Sequence, residues 1–313
     1  MANKERRDFQ KMSILLESKL EGRTPFHKGK VRDIYEEDTS ELLIVATDRI
    51  SAFDRIMKQG IPHKGAALTS LSEYWFLKTR HIFTNHFIQL YNDRTIRAKR
   101  AKRIDIEWIV RAYLYGSAWR AYSKGARTVS GVTLPGGLQM AEELPEVILT
   151  PTTKSEHGHD QELSKEQALE QGLVGKDEWN ELQEATLKLF EFYKREALLK
   201  GIIIPDFKLE FGRLQDELIQ IDEPPTHDSA RFWSKTNYRI GERQEKHCLD
   251  KEFLRDYLMR KGFSGEGEPP NLPSVVIEQI SKRCIGAFEV LSGQRELDSL
   301  NLNSVDDVIN QEK

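Results

Sequence analysis

Residues Gly201 to Trp233 read GIIIPDFKLEFGRLQDELIQIDEPPTHDSARFW, and this stretch decides the reading of the chain. Two apolar runs, Ile202–Ile204 and Leu218–Ile221, flank a polar turn at Arg213–Glu217. Short apolar runs bounded by turn residues predict a β-hairpin. Asp206, Lys208 and Glu210 alternate with Phe207, Leu209 and Phe211. Side chains at i, i+2 and i+4 share one face of a strand, so one face is apolar and the other reads acid, base, acid. The returning run ends in Asp222-Glu223, and Arg231 follows shortly after. Two carboxylates on paired strands, Glu210 and Asp222, suit Mg²⁺, which takes oxygen ligands. A lysine between two acids suits an anionic substrate.

Working outward, Phe26 to Glu36, FHKGKVRDIYE, places Gly29 between Lys28 and Lys30. A glycine turn flanked by cations can bring backbone N–H and ammonium groups to phosphates. It is not a Walker A loop, and the chain has no GxGxxG fingerprint, which argues against a dinucleotide fold. Glu41 to Ala46, ELLIVA, predicts a buried strand. Thr47 to Asp54, TDRISAFD, supplies Asp48, Ser51 and Asp54 on a loop, where Asp48 or Ser51 could instead cap a helix. Ala66 to Thr79 reads as a helix. Arg94 to Arg103, RTIRAKRAKR, is the densest basic run and is expected between two strands. Asp105 to Val110, DIEWIV, predicts a strand, followed by Arg111 and by Ser117 at a helix start, where free N–H groups favour anions.

Gly125 to Glu146 reads as an irregular hairpin region, and Leu149 to Ser164, LTPTTKSEHGHDQELS, as a polar loop. His157 and His159, with Glu156 and Asp160, invite a zinc reading, but no HExxH and no third ligand accompany them. Lys165 to Lys200 is expected to be helical, broken near Gly172–Gly175. Gln244 to Met259 and Ser274 to Ser292 are expected helices. Arg6 to Leu20 reads as a short amphipathic helix and Asn301 to Lys313 as a polar, fraying tail.

Composition sets the outer limits. The chain has 313 residues, 38% hydrophobic and 31% charged, with net charge −3. Mean hydropathy is −0.58. No global field favours nucleic acid or membrane, and no apolar run approaches the ~20 residues that span a bilayer. Two cysteines are too few for a disulfide framework. A cytoplasmic protein with buried thiols is expected.

Taken together, DFKLEFG with its hairpin and IDE, the GK-x-R-x-x-Y turn, the strand–Arg–Gly-Ser order, TP-x-TK, the Asp-Ser-x-Arg-Phe-Trp run and DK-x-x-x-R resemble the SAICAR synthetase family over most of the chain. The resemblance implies an α+β, two-lobed fold: an antiparallel N-terminal sheet lobe over residues 1–110, and a C-terminal lobe over 111–313, similar to ATP-grasp and kinase architectures. ATP would lie between them. The implied reaction joins 5-amino-1-(5-phosphoribosyl)imidazole-4-carboxylate to L-aspartate, with ATP giving ADP and phosphate through an acyl phosphate.

The resemblance also implies roles. Gly29, Lys30, Arg32 and Lys154 would meet the ATP phosphates, and Glu107 the adenine amino group. Glu210 and Asp222 would hold Mg²⁺. Ser51 and Asp54 would contact the carboxylate and ribotide end of the substrate, and Arg111 and Ser117 the ribotide phosphate or imidazole. Lys208, Arg231 and Arg255 would hold substrate anions, and Asp206 would orient the amine or the aminoimidazole. His227 and Ala230 stand where the family usually has Pro and Ser, which would shift a serine contact to Ser229. The partners would be small molecules alone, with no nucleic acid or membrane, in a monomer or small homo-oligomer. Two other readings are another kinase-like phosphotransferase and an RNA-binding module using residues 94–103.

Overall fold

The computed structural model describes residues 12–154 and 161–312. The zinc reading, on residues 156–160, and the start of the expected N-terminal helix lie outside the described residues. The described chain is α+β and carries two five-stranded sheets.

The first sheet contains β1 (His27–Lys28), β2 (Arg32–Glu36), β3 (Glu41–Ala46), β4 (Phe87–Asn92) and β5 (Thr95–Lys99), in the spatial order β1-β2-β3-β5-β4. The second contains β6 (Lys102–Tyr113), β7 (Glu143–Leu149), β8 (Thr152–Thr153), β9 (Asp206–Leu214) and β10 (Glu217–Ile221), in the order β7-β6-β9-β10, with β8 also on β6. Every pairing within these two sheets is antiparallel. A single segment stitches them together. Gln220 N donates to Thr84 O and His86 N to Gln220 O, both at 2.9 Å, while Lys99 N donates to His86 O at 2.7 Å.

The main core lies under the second sheet. The odd residues of β9 and the even residues of β6 point into it: Phe207, Leu209, Phe211, Ile106, Trp108 and Val110 are all buried. The long helix α3 (Lys176–Leu198) brings Trp179, Leu182, Phe190 and Tyr193 against them. The rings meet edge-on, Trp108 with Phe211 at 6.3 Å and Tyr193 with Phe207 at 5.6 Å. Helix α1 (Lys64–Thr79) packs on the first sheet and on α5 (Ser274–Leu291).

Several boundaries differ from the sequence reading, each for a local reason. Ile202–Ile203 does not belong to the hairpin; it pairs with Trp233–Ser234. Pro205, which lacks an N–H, separates it from β9. The hairpin is β9–β10, with Gln215 left-handed at φ 55° in its turn. Residues 12–20 are not helical. They lie extended over the first sheet, where the Ser18 hydroxyl donates to Asp33 at 2.6 Å and Leu15 N to Asp48 at 2.8 Å. The basic run is itself largely strand β5, with its arginines spent on intramolecular partners: Arg94 on Asp48, Arg97 on Glu41, Arg100 on Glu36 and Arg103 on Asp105. The helix expected from Gln244 begins only at Glu252, giving α4 (Glu252–Arg260). Asp250 delays it by accepting from Phe232 N at 2.7 Å and Glu252 N at 2.6 Å. The tail is not frayed: α6 (Val305–Gln311) buries Val305 and Val308 and opens with a Ser304–Asp307 capping box.

Asp48 is the fully buried knot of this lobe. Its carboxylate accepts from Leu15 N, from Gly65 N at the start of α1 and from Arg94. Its helix-capping reading is therefore the observed one, reached across 17 residues of chain. Asp48→Ala leaves Arg94 and two backbone donors without their acceptor. Urea denaturation should show a loss of about 3 kcal/mol, the scale of breaking a buried ion pair. A loss below about 1 kcal/mol would mean that water replaces the carboxylate freely.

Candidate active site

Pairing of β9 with β6 sets the geometry. Asp206 lies opposite Arg111, Lys208 opposite Ile109, and Glu210 opposite Glu107. All six side chains share the face away from the core. That face is not solvated: Asp206 and Glu210 are each 4% exposed and Glu107 6%. Two like charges directly opposite on neighbouring strands repel, so each must find a cation. Lys208 reaches diagonally to Glu107 at 2.6 Å. Lys154, from the loop after β8, pairs with Glu210.

The next residues extend this charged line. Asp222, just past β10, holds a left-handed backbone with φ 65°. It accepts from Arg32 of β2 at 2.8 Å, and Arg32 also reaches Glu223 at 3.2 Å. A cation from the first sheet thus meets acids from the second. Burial, and then the Asp222 charge, push the Glu210 carboxyl up to about 7, against the pull of Lys154. Asp222 stays well below the ordinary carboxylate range: its burial opposes this, but Arg32 and Lys154 outweigh it. The two acids therefore titrate apart, a pattern that marks working carboxylates.

At the other end, Arg231 clasps Asp206 with Nη1 at 2.8 and 2.7 Å. Arg111 donates to Thr150 at 2.8 Å and to the Ser117 hydroxyl at 3.0 Å. Ser117 sits in the first turn of α2 (Gly116–Ser123) and is exposed. Gly116 has φ 60°, and a Cβ there would stand 2.6 Å from Arg231 Nη2. Only glycine admits both the turn and the guanidinium. Beyond Arg231, Glu252 gathers Arg243 at 2.9 Å, Arg255 at 3.5 Å and Tyr115 OH at 3.1 Å.

Most of the residues named from the sequence thus come together: Arg32, Glu107, Lys154, Lys208, Glu210 and Asp222 at one end, and Asp206, Arg111, Ser117, Arg231 and Arg255 at the other. Lys30 and Asp54 pair with one another, both largely exposed, rather than with this line. Ser51 is buried in the two-residue strand Ser51–Ala52, and among the described residues no hydrogen bond joins it to the charged line. Ser229 spends its hydroxyl on its own turn, accepting from Thr226 N at 3.0 Å and donating to Pro224 O at 2.8 Å. His227 is buried with both ring nitrogens unpartnered among the described residues.

Some residues were not visible as site residues in the sequence. Arg49 anchors the Gly29 turn, donating to Gly29 O at 3.0 Å and Lys30 O at 3.1 Å. Lys64 is fully buried and reaches Asp228 at 2.5 Å, with Lys251 at 3.4 Å from the same carboxylate. A cation in the first turn of a helix opposes the helix dipole, so nothing local to Lys64 announces its partner 164 residues away. Glu252 reads as an ordinary helix residue until its three arginines are seen.

A family model described as SAICAR synthetase matches residues 25–270. Phosphoribosylaminoimidazole-succinocarboxamide synthase from Thermodesulfovibrio yellowstonii is 39% identical over 295 residues, covering 90% of this chain and 99% of that protein. The protein of the same name from Saccharomyces cerevisiae is 40% identical over 310 residues, covering 91% and 99%. Among solved structures, "SAICAR-synthase from Saccharomyces cerevisiae complexed SAICAR" matches with a TM-score of 0.80 and 39% identity, covering 89% of this chain and 98% of that one.

The Glu210 shift has a testable sign. A carboxyl raised from 4.5 to about 7 favours the folded state fully below its unfolded value, and that contribution is lost as pH rises through 7. Urea denaturation of the protein without divalent metal should show this loss between pH 4.5 and 7. Glu210→Gln should flatten that slope. An unchanged slope in the variant would assign it to other groups.

Proposed function

The chain belongs to the SAICAR synthetase family, and on that premise we propose that its cleft uses ATP to join 5-amino-1-(5-phosphoribosyl)imidazole-4-carboxylate to L-aspartate. The products are SAICAR, ADP and phosphate, a step of de novo purine biosynthesis. The observation that carries this reading is the buried line of alternating charge between two sheets, with a separate arginine cluster beyond it. Such a site offers cations for a polyphosphate at one end and for a ribotide and a dicarboxylate at the other.

A carboxylate is a poor acyl donor. One of its oxygens attacks the γ-phosphorus of ATP, ADP departs, and an acyl phosphate remains. The amine of aspartate then attacks the acyl carbon, and phosphate leaves with the oxygen it acquired. Both steps need positioning and charge neutralisation more than a covalent residue. Lys30, on its Gly29 turn, Arg32 and Lys154 are placed to neutralise phosphate oxygens. Lys154 and Arg32 are held ready by Glu210 and Asp222. Glu107 keeps the Lys208 ammonium on the cleft face, which supports holding Lys208 as its role rather than contact with adenine. Arg111 and Ser117 are suited to the ribotide phosphate, and Arg231, locked by Asp206, to a substrate carboxylate. Ser51 and Asp54 are assigned to the ribotide end by resemblance alone.

Glu210 and Asp222 also fit Mg²⁺. They present carboxylate oxygens from the ends of adjacent strands, and their mutual repulsion is what a hard divalent cation relieves. Bound there, the ion would supply Lewis-acid neutralisation of phosphate oxygens.

ATP would lie between two lobes, residues 1–110 and 111–313, in a kinase-like or ATP-grasp-like arrangement. We propose a cytoplasmic location, which the free buried thiols Cys248 and Cys284 suit. The four ion-paired arginines of residues 94–103 argue against an RNA-binding role.

ADP release tests the function, with ATP, the ribotide or aspartate omitted in turn. Steady release should require all three; release at the full rate without aspartate would contradict ligation. Selection of aspartate is assigned to Arg255, whose guanidinium is held by Glu252 alone among the described carboxylates. Arg255→Met should raise KM for aspartate by tenfold or more, about the 1.5–3 kcal/mol of hydrogen bonds to a charged group. KM for ATP should not move. An unchanged aspartate KM would return Arg255 to a surface role.

A further inference from the structure

Asp222 holds a left-handed backbone at φ 65°, a conformation that non-glycine residues seldom keep without support. The support comes from His86, which is 2% exposed and packs edge-on against Phe76 at 5.3 Å. Its ring is hydrogen-bonded to the backbone of Asp222. Nε2 is buried and has no partner among the described residues, so the donor is Nδ1–H and the acceptor is the Asp222 carbonyl. His86 is itself fixed on both sides by its backbone, through Gln220 O and Lys99 N. It is thus pinned where the two sheets are stitched together.

We propose that His86 is a positioning residue for the metal end of the site, its ring N–H fixing the Asp222 backbone so that the carboxylate faces Glu210 and Arg32. This inference rests on the reading of Asp222 as a metal ligand. His86 touches neither substrate nor metal. It acts as outer partners of metal ligands do, by setting the orientation of the group that binds. It also ties that orientation to sheet packing: Asp222 is aimed only when the 84–86 segment lies against β10.

Leucine and asparagine are close in size and differ in polarity, and asparagine places an N–H where histidine has Nδ1. Mn²⁺ binding in the presence of ADP, followed by the electron paramagnetic resonance of free Mn²⁺, reads the site without turnover. His86→Leu should weaken Mn²⁺ by at least about tenfold, the usual scale for losing an outer partner, and His86→Asn by no more than about threefold. Both variants lose the same ring packing, so their melting temperatures should fall together. KM for aspartate, at the far end of the cleft, should stay near the wild-type value in both.

Should His86→Leu fail to fold, His86→Gln takes its place, because glutamine reaches toward the Nε2 position and should bind Mn²⁺ as weakly as leucine. Equal weakening in the asparagine and the leucine or glutamine variant would reduce His86 to packing. Wild-type Mn²⁺ binding in His86→Leu would remove the role outright. Asp222→Asn separates this from the metal reading. If it binds Mn²⁺ with ADP as the wild type does, Asp222 is no ligand and both assignments fall. If it loses Mn²⁺ while His86→Leu does not, only the His86 assignment falls.

Discussion

Two carboxylates, Glu107 and Glu210, face one another across paired buried strands, and the organisation of the cleft follows from the need to neutralise them. Lys208 answers Glu107 from the same strand as Glu210, and Lys154 answers Glu210 from the loop beyond β8. Asp222 adds a third acid and recruits Arg32 from the other sheet. Buried ion pairs add little net stability over well-packed apolar residues. A line of them at a sheet junction therefore points to chemistry. The cations already stand where phosphate oxygens would come, and the acids already stand where a divalent ion would come.

The second end of the cleft is built differently. There a single acid, Asp206, orients Arg231, and glycine at position 116 leaves room for the guanidinium. Arg231 also lies over the Tyr115 ring at 5.2 Å, so its plane is fixed from two directions. The polyphosphate end relies on charge; the acceptor end relies on planar, bidentate groups held in orientation. Both ends hang on the same two strands, so a shift in their register would move acid, base and guanidinium together and turn them into the core.

Much of this is legible in the sequence where chemistry and periodicity coincide. In DFKLEFG the alternation of charged and aromatic residues fixes which face is which, so the strand period alone puts Asp206, Lys208 and Glu210 side by side. What cannot be read locally depends on distant partners. That the charged face is buried follows from Glu107, Arg32 and Lys154 closing over it, and no local pattern reports that. Lys64 looks like a surface lysine at a helix start because Asp228 is far away in sequence. Residues 12–20 carry helical spacing, yet bonds to Asp33 and Asp48 hold them extended over the sheet. The basic run can be read as a nucleic-acid patch, because the acids that pair with its arginines lie mostly on other strands. Pro205 is visible, but its effect of cutting Ile202–Ile203 from the hairpin needs Trp233–Ser234 as the alternative partner.

The central claim is that the charged line activates a carboxylate by phosphoryl transfer before the amine attacks. Oxygen labelling tests it most directly. With ¹⁸O in both carboxylate oxygens of the imidazole ribotide, an acyl phosphate must pass one labelled oxygen to the phosphate released and keep the other in the amide. The account predicts phosphate carrying a single ¹⁸O in every turnover, read by mass spectrometry or by the isotope shift in its ³¹P resonance. Label-free phosphate, with ADP still formed, would mean that ATP is cleaved by water or by another acceptor, and would contradict it.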